Sequence, residues 1–194
     1  MIHKLKSTAT PYSVVAFISL LCVTLFIIQL EGQLGYRRSA ISHGEWWRLF
    51  SGNLLHTNAL HLLMNLAGLW VISFLHENHY RLANFSLIFI LLGLLQGIGL
   101  YLFFPALGAY VGLSGLLHGL FTYGALRDIQ SGIRSGYLLL VGVCAKVLYE
   151  QVYGASEQIT QMINARVATE AHLVGVISGI LLFILFRLVR RLTH

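Results

Sequence analysis

Residues 105–127, PALGAYVGLSGLLHGLFTYGALR, decide how this chain is built. From Leu113 to the charge at Arg127 a helix would rise only about 21 Å, too little to cross a hydrocarbon core of about 30 Å. The preceding segment, Pro105 to Gly112, therefore reads as non-helical backbone at membrane depth, which is tolerated only when buried in protein or lining a wet cavity. A helix opening at Ser114 in such a cavity sets its free N–H groups and positive dipole end beside a hydroxyl, where they can hold an oxyanion.

The rest of the chain supplies the membrane context. Of its 194 residues, 57% are hydrophobic and 10% charged, against about half and about a quarter in an average soluble domain. The net charge of +6 comes from cations scattered between apolar runs, which speaks against a nucleic-acid partner. Those runs, at residues 12–30, 54–75, 82–104, 113–126, 137–152 and 171–188, predict an all-α polytopic membrane protein with one domain over 1–194. The expected form is a six-helix bundle with a short, recessed fourth helix; the runs are solidly apolar, which excludes a β-barrel. Lys4 and Lys6 precede the first run, but no small-x-small site follows Leu30, so a retained helix is expected rather than a cleaved signal.

With the amino terminus inside, Lys4, Lys6, Arg81, Arg127, Arg134, Arg187, Arg190 and Arg191 fall on the cytoplasmic side. Arg37, Arg38, Arg48 and Arg166 fall outside, so the positive-inside rule puts both termini in the cytoplasm. Trp46 and Trp47 in the long first outer loop suit the membrane interface. Cys22 and Cys144 sit in apolar runs without CxxC spacing and read as buried thiols.

Polar groups inside a bilayer are costly and ask for a reason. Counted back from the cytoplasmic charge that ends each span, Ser114 lies about 20 Å in, His172 about 22 Å, and His61 and Asn65 about 24 and 18 Å. All four fall in one layer below the outer edge of the core. Gly112 and Gly115 flank the Ser114 turn, and Gly175 and Gly179 follow His172 as a small-xxx-small pair that lets two helices approach closely. Such an approach is what serine-to-histidine proton transfer needs. His61 and Asn65, at i and i+4, share a helical face from which both could donate to an oxyanion.

No third carboxylate is evident: Asp128 lies at the cytoplasmic end, and Glu170 points nearly opposite His172 around its helix. A Ser–His dyad is expected. Lys146, about 15 Å into the fifth span, is one turn from Glu150, and an i, i+4 ion pair facing a wet cavity is the simplest account. Either residue could also read a charged feature of a substrate tail. His56 and His61 would point about 140° apart on one helix, and no His/Cys set has metal-site spacing, so neither metal nor cofactor is expected.

The ordered set Trp47-Arg48, His56, His61, Asn65, Gly112-Leu113-Ser114-Gly115 and Ala171-His172 with Gly175 resembles the rhomboid family of intramembrane serine proteases, from Gly44 to Gly179. That resemblance implies that Ser114 is the nucleophile and His172 the general base, with His61, Asn65 and the Ser114 N–H as oxyanion hole. His56 and Arg48 would brace the first outer loop, and the fifth span with the loop before it would form part of a lateral gate. His118 stands where many rhomboids carry an aromatic ring, so it could stack on His172 or contact substrate. The run Ser114-Gly115-Leu116-Leu117-His118-Gly119 is similar to the rhombosortase branch, which processes carboxy-terminal Gly-Gly anchor segments. The implied substrate is a transmembrane or C-terminally anchored protein, cut near the outer, periplasmic face of a bacterial inner membrane, with transfer to water or to an amine acceptor. The alternative is a catalytically inactive rhomboid-like membrane chaperone.

Overall fold

The computed structural model describes residues 10–192; Lys4 and Lys6, used above for topology, lie outside the described residues. Among the described residues the fold is all-α apart from one two-residue strand pair. In order it forms α1 (Tyr12–Ile27), α2 (Glu31–Leu34), β1 (Tyr36–Arg37), α3 (Arg38–Ser42), α4 (Arg48–Ser51), α5 (Ala59–Leu75), α6 (Leu82–Phe103), β2 (Ala109–Tyr110), α7 (Ser114–Gln130), α8 (Ser135–Tyr153), α9 (Glu157–Ile163) and α10 (Thr169–Leu192). By length and composition α6 and α10 are apolar enough to cross a membrane, with mean hydropathy 2.2 and 2.3. Up to four crossings result if two bent pairs each count as one, Arg48–Leu54 with α5 (96°) and α8 with α9 (90°). Phe74, Leu102, Leu138 and Val152 stand exposed on the outer faces, as apolar side chains do where lipid is the solvent.

Among the departures from the sequence expectation, two helix boundaries and one added helix have a local reason. The helix expected from residue 54 begins at Ala59, because the Asn58 side chain accepts from the His61 N–H and caps it there. His56 consequently precedes the helix, and its ring packs edge-on against His61 with centroids 5.0 Å apart, not 140° away on a shared helix. Helix α7 runs past Arg127 to Gln130, because Asp128 is buried between His76 Nδ1 (2.9 Å) and His79 Nε2 (2.8 Å). The short helix α9 was not expected; Ser156 caps its start and left-handed Asn164 ends it.

Helix α7 is the axis of the fold. It buries Gly115, Leu116, Gly119, Leu120, Thr122, Tyr123 and Ala125 against α6, α8 and α10. Its crossing with α10 is at backbone contact: a Cβ on Gly175 would stand 1.9 Å from the Gly115 carbonyl oxygen, and one on Gly179 2.5 Å from that of Gly119. Only hydrogen fits there. Helix α8 buries few of its residues, Gly136, Val143 and Val147.

The first outer loop grips the segment before α7. Strands β1 and β2 pair antiparallel, Tyr36 with Tyr110 and Arg37 with Ala109. The Arg38 N–H donates to the Gly108 carbonyl (2.9 Å), and the Gly112 N–H to that of Gly52 (3.1 Å). This loop thereby fixes where α7 begins.

Candidate active site

The starts of α5, α7 and α10 and the end of α8 converge at one end of the bundle. There Ser114 Oγ lies 3.0 Å from His172 Nε2, within reach for proton transfer. His172 is buried on α10, and the glycine crossing just described brings the two helices that close. Ser114 opens α7, so the N–H groups of the first turn have no partner inside the helix.

On the other side of Ser114, His61 and Asn65 of α5 face Gly112. A Cβ at Gly112 would lie 2.8 Å from His61 Nε2 and 3.7 Å from Asn65 Nδ2. Gly112 has φ +129°, so both conformation and space require glycine. The Thr57 N–H donates to His61 Nδ1 (3.4 Å), which leaves the ring proton on Nε2, pointing to this gap. Asn65 Nδ2 is buried with no hydrogen-bond partner. Two donors thus border Gly112, two residues before Ser114, in a cavity that Ser114 and His172 also line.

A cavity of about 400 Å³ reaches Ser114 and His172 and is lined also by His61, Asn65, His118 and Lys146. The remaining expected residues fall as follows. Arg48 is buried, donating to the Gly35 carbonyl (2.7 Å), the Gly32 carbonyl (3.3 Å) and Glu45 (2.6 Å), so it ties the first outer loop together. His56 is buried with neither ring nitrogen partnered. Gly115 packs against the Ala171 carbonyl, 2.7 Å from where its Cβ would be. The His118 ring stacks on His172 with centroids 4.1 Å apart. Lys146 pairs with Glu150 at 2.8 Å. Cys22 is buried and Cys144 half-buried, both free.

Two sequence expectations need correction here. A carboxylate does reach the histidine: Glu150 Oε2 lies 2.8 Å from His172 Nδ1, while Glu170 pairs with Arg166. Metal-capable groups also converge, since ligand atoms of His118, Glu150 and His172 lie within 4.8 Å of one another. Three different helices bring them together, which spacing along the chain does not reveal. The Lys146 ammonium bonds two of the three, Glu150 and His118 (3.1 Å), and so stands where a cation would. Tyr110 carries no motif signal in the sequence; its hydroxyl donates to the Gly112 carbonyl and steadies that glycine.

Comparison with known proteins agrees with this frame. The Rhomboid domain model matches residues 43–188. Rhomboid protease GluP of Bacillus subtilis (strain 168) is 28% identical over 173 residues, 84% of this chain and 32% of GluP. YdcA, a second Bacillus subtilis protein named for the same family, is 29% identical over 73% of this chain and 68% of its own length. Rhomboid protease GlpG of Klebsiella pneumoniae (strain 342) is 29% identical over 84% of this chain and 59% of GlpG. The chain thus spans about a third of GluP and about three fifths of GlpG. A domain match over most of the sequence, from the first outer loop to the end of the last apolar run, establishes that this chain belongs to the rhomboid family.

Proposed function

We propose that the chain is an intramembrane serine endopeptidase. The observation that carries this reading is the 3.0 Å approach of Ser114 Oγ to His172 Nε2 across the glycine crossing of α7 and α10, in a cavity lined also by Asn65, whose buried Nδ2 has no partner among the described residues. Ser114 Oγ attacks the scissile carbonyl carbon as its proton passes to His172 Nε2. The tetrahedral oxyanion is held by His61, Asn65 and the Ser114 N–H. His172 then gives the proton to the departing amine, the C–N bond breaks, and the acyl-enzyme is released by water or by an amine acceptor.

The frame is six spans with a recessed fourth, α7, whose 17 residues rise about 26 Å. Arg81, Arg127, Arg134 and Arg187 mark the end opposite the site, which puts both termini in the cytoplasm and the cavity toward the periplasmic side of a bacterial inner membrane. Substrates are transmembrane or C-terminally anchored proteins entering from the bilayer beside α8, the sparsely buried fifth span, which serves as part of the gate. The run from Ser114 to Gly119 favours the rhombosortase branch and a Gly-Gly tail as the cleaved segment. Mass spectrometry of a co-expressed membrane protein bearing such a tail tests this. The expected result is a shortened product that disappears with Ser114→Ala; an added amine mass marks transfer, a free acid hydrolysis. An uncut tail alongside cleavage of another membrane protein would contradict the branch assignment.

A further inference from the structure

We infer that Glu150 on α8 is a positioning residue that makes the Ser–His pair a Ser114–His172–Glu150 relay; this rests on the serine-protease reading above. Donors and acceptors around the site match in one arrangement. Glu150 Oε2 accepts from His172 Nδ1 (2.8 Å), so the ring proton sits on Nδ1 and the Nε2 lone pair faces the Ser114 hydroxyl (3.0 Å). The other oxygen, Oε1, accepts from Lys146 Nζ (2.8 Å), which orients the carboxylate.

The same ammonium donates to His118 Nε2 (3.1 Å), and His118 Nδ1 therefore carries the proton it donates to the Ser114 carbonyl (2.7 Å). Each link fixes the next, and the circuit closes on the nucleophile's own residue. The His118 ring, stacked on His172 at an interplanar angle of 20°, covers one face of that imidazole. The Glu150 side chain is 12% exposed, so its interaction with an imidazolium formed during attack is weakly screened.

A carboxylate holding the catalytic tautomer acts on the chemical step and not on binding. The test is the kinetics of fluorophosphonate labelling of the detergent-solubilised full chain, separating probe affinity from the maximal labelling rate. Glu150→Gln and Glu150→Ala are both expected to lower the maximal rate by about 10²–10⁴-fold, with probe affinity kept within about twofold. The isosteric Gln should be no better than Ala, because an amide can stabilise the wrong tautomer; a merely structural residue would show Gln milder than Ala. Wild-type protein labelled at Ser114, with Glu150→Gln labelled within about threefold of it, would overturn the relay alone. Wild-type protein with no labelling at Ser114 would overturn the serine reading and the relay with it. Histidine ¹⁵N spectroscopy on unmutated protein gives a second measurement, independent of whether the variants fold. It should find His172 as the Nδ1–H tautomer, and the Nε2–H tautomer would contradict the proposal.

Discussion

Gly175 of α10 lies against the carbonyl of Gly115, the residue after Ser114, with no room for a single carbon between them. The distance between the serine and histidine is therefore set by a backbone-to-backbone crossing. Gly175→Ala should force the helices apart and cost about 1–3 kcal/mol of stability, with loss of Ser114 labelling at temperatures where the protein is still folded. Gly142 of α8 has nothing within 4 Å of its missing Cβ among the described residues, and Gly142→Ala should leave stability unchanged or raise it by up to about 1 kcal/mol, alanine being the better helix former. Paired thermal melts and labelling assays check both; equal tolerance at the two positions would contradict the crossing.

Asn65 Nδ2 is a buried donor without a partner among the described residues. Asn65→Ala should therefore leave stability nearly unchanged while lowering kcat about 10²–10³-fold, measured on a membrane-anchored substrate. Asn65→Ala with kcat unchanged would remove it from the oxyanion hole.

Arg48 is 6% exposed and donates to the carbonyls of Gly32 and Gly35. Arg48→Met would leave these carbonyls without their donor, at about 1–3 kcal/mol. Because the first outer loop also pairs with the segment ahead of Ser114, the variant should melt earlier and lose activity together. An unchanged melt would show that the loop holds without the guanidinium.

At the opposite end, His76 shares Asp128 with His79 and packs against Tyr80 and Phe121. Burial, only partly offset by the Asp128 carboxylate, holds His76 below the ordinary histidine value of 6.5. The unfolded chain thus takes up this proton more readily as pH falls through about 6.5, so the contribution of His76 to stability is complete above that pH and lost below it. Melting temperature in mild detergent should drop between about pH 7 and about pH 5. His76→Phe should flatten that part of the curve; an identical slope in the variant would contradict the assignment.

How far the site was legible depended on what fixes each residue's position. The sequence reads Ser114, His172, His61 and Asn65 at one depth because a helix rises a constant 1.5 Å per residue from a charge that must reach water, and the four line one cavity. The side-to-side relation of α8 to α10 has no such ruler. Glu150 was matched with Lys146 one turn away on its own helix, and its second oxygen reaches a histidine 22 positions along the chain. His56 was misplaced because the apolar run begins at Leu54 while Asn58 delays the helix. The outer-loop elements β1, β2 and α9 are too short for any periodicity to mark them.

In the proposed mechanism His172 activates Ser114 inside the membrane. The most direct test of that step is peptide mapping after exposure of the purified, detergent-solubilised chain to a fluorophosphonate. One adduct is expected, on the peptide carrying Ser114, absent in Ser114→Ala and strongly reduced in His172→Ala. An adduct that persists in Ser114→Ala, or forms at full rate without the His172 imidazole, would contradict it.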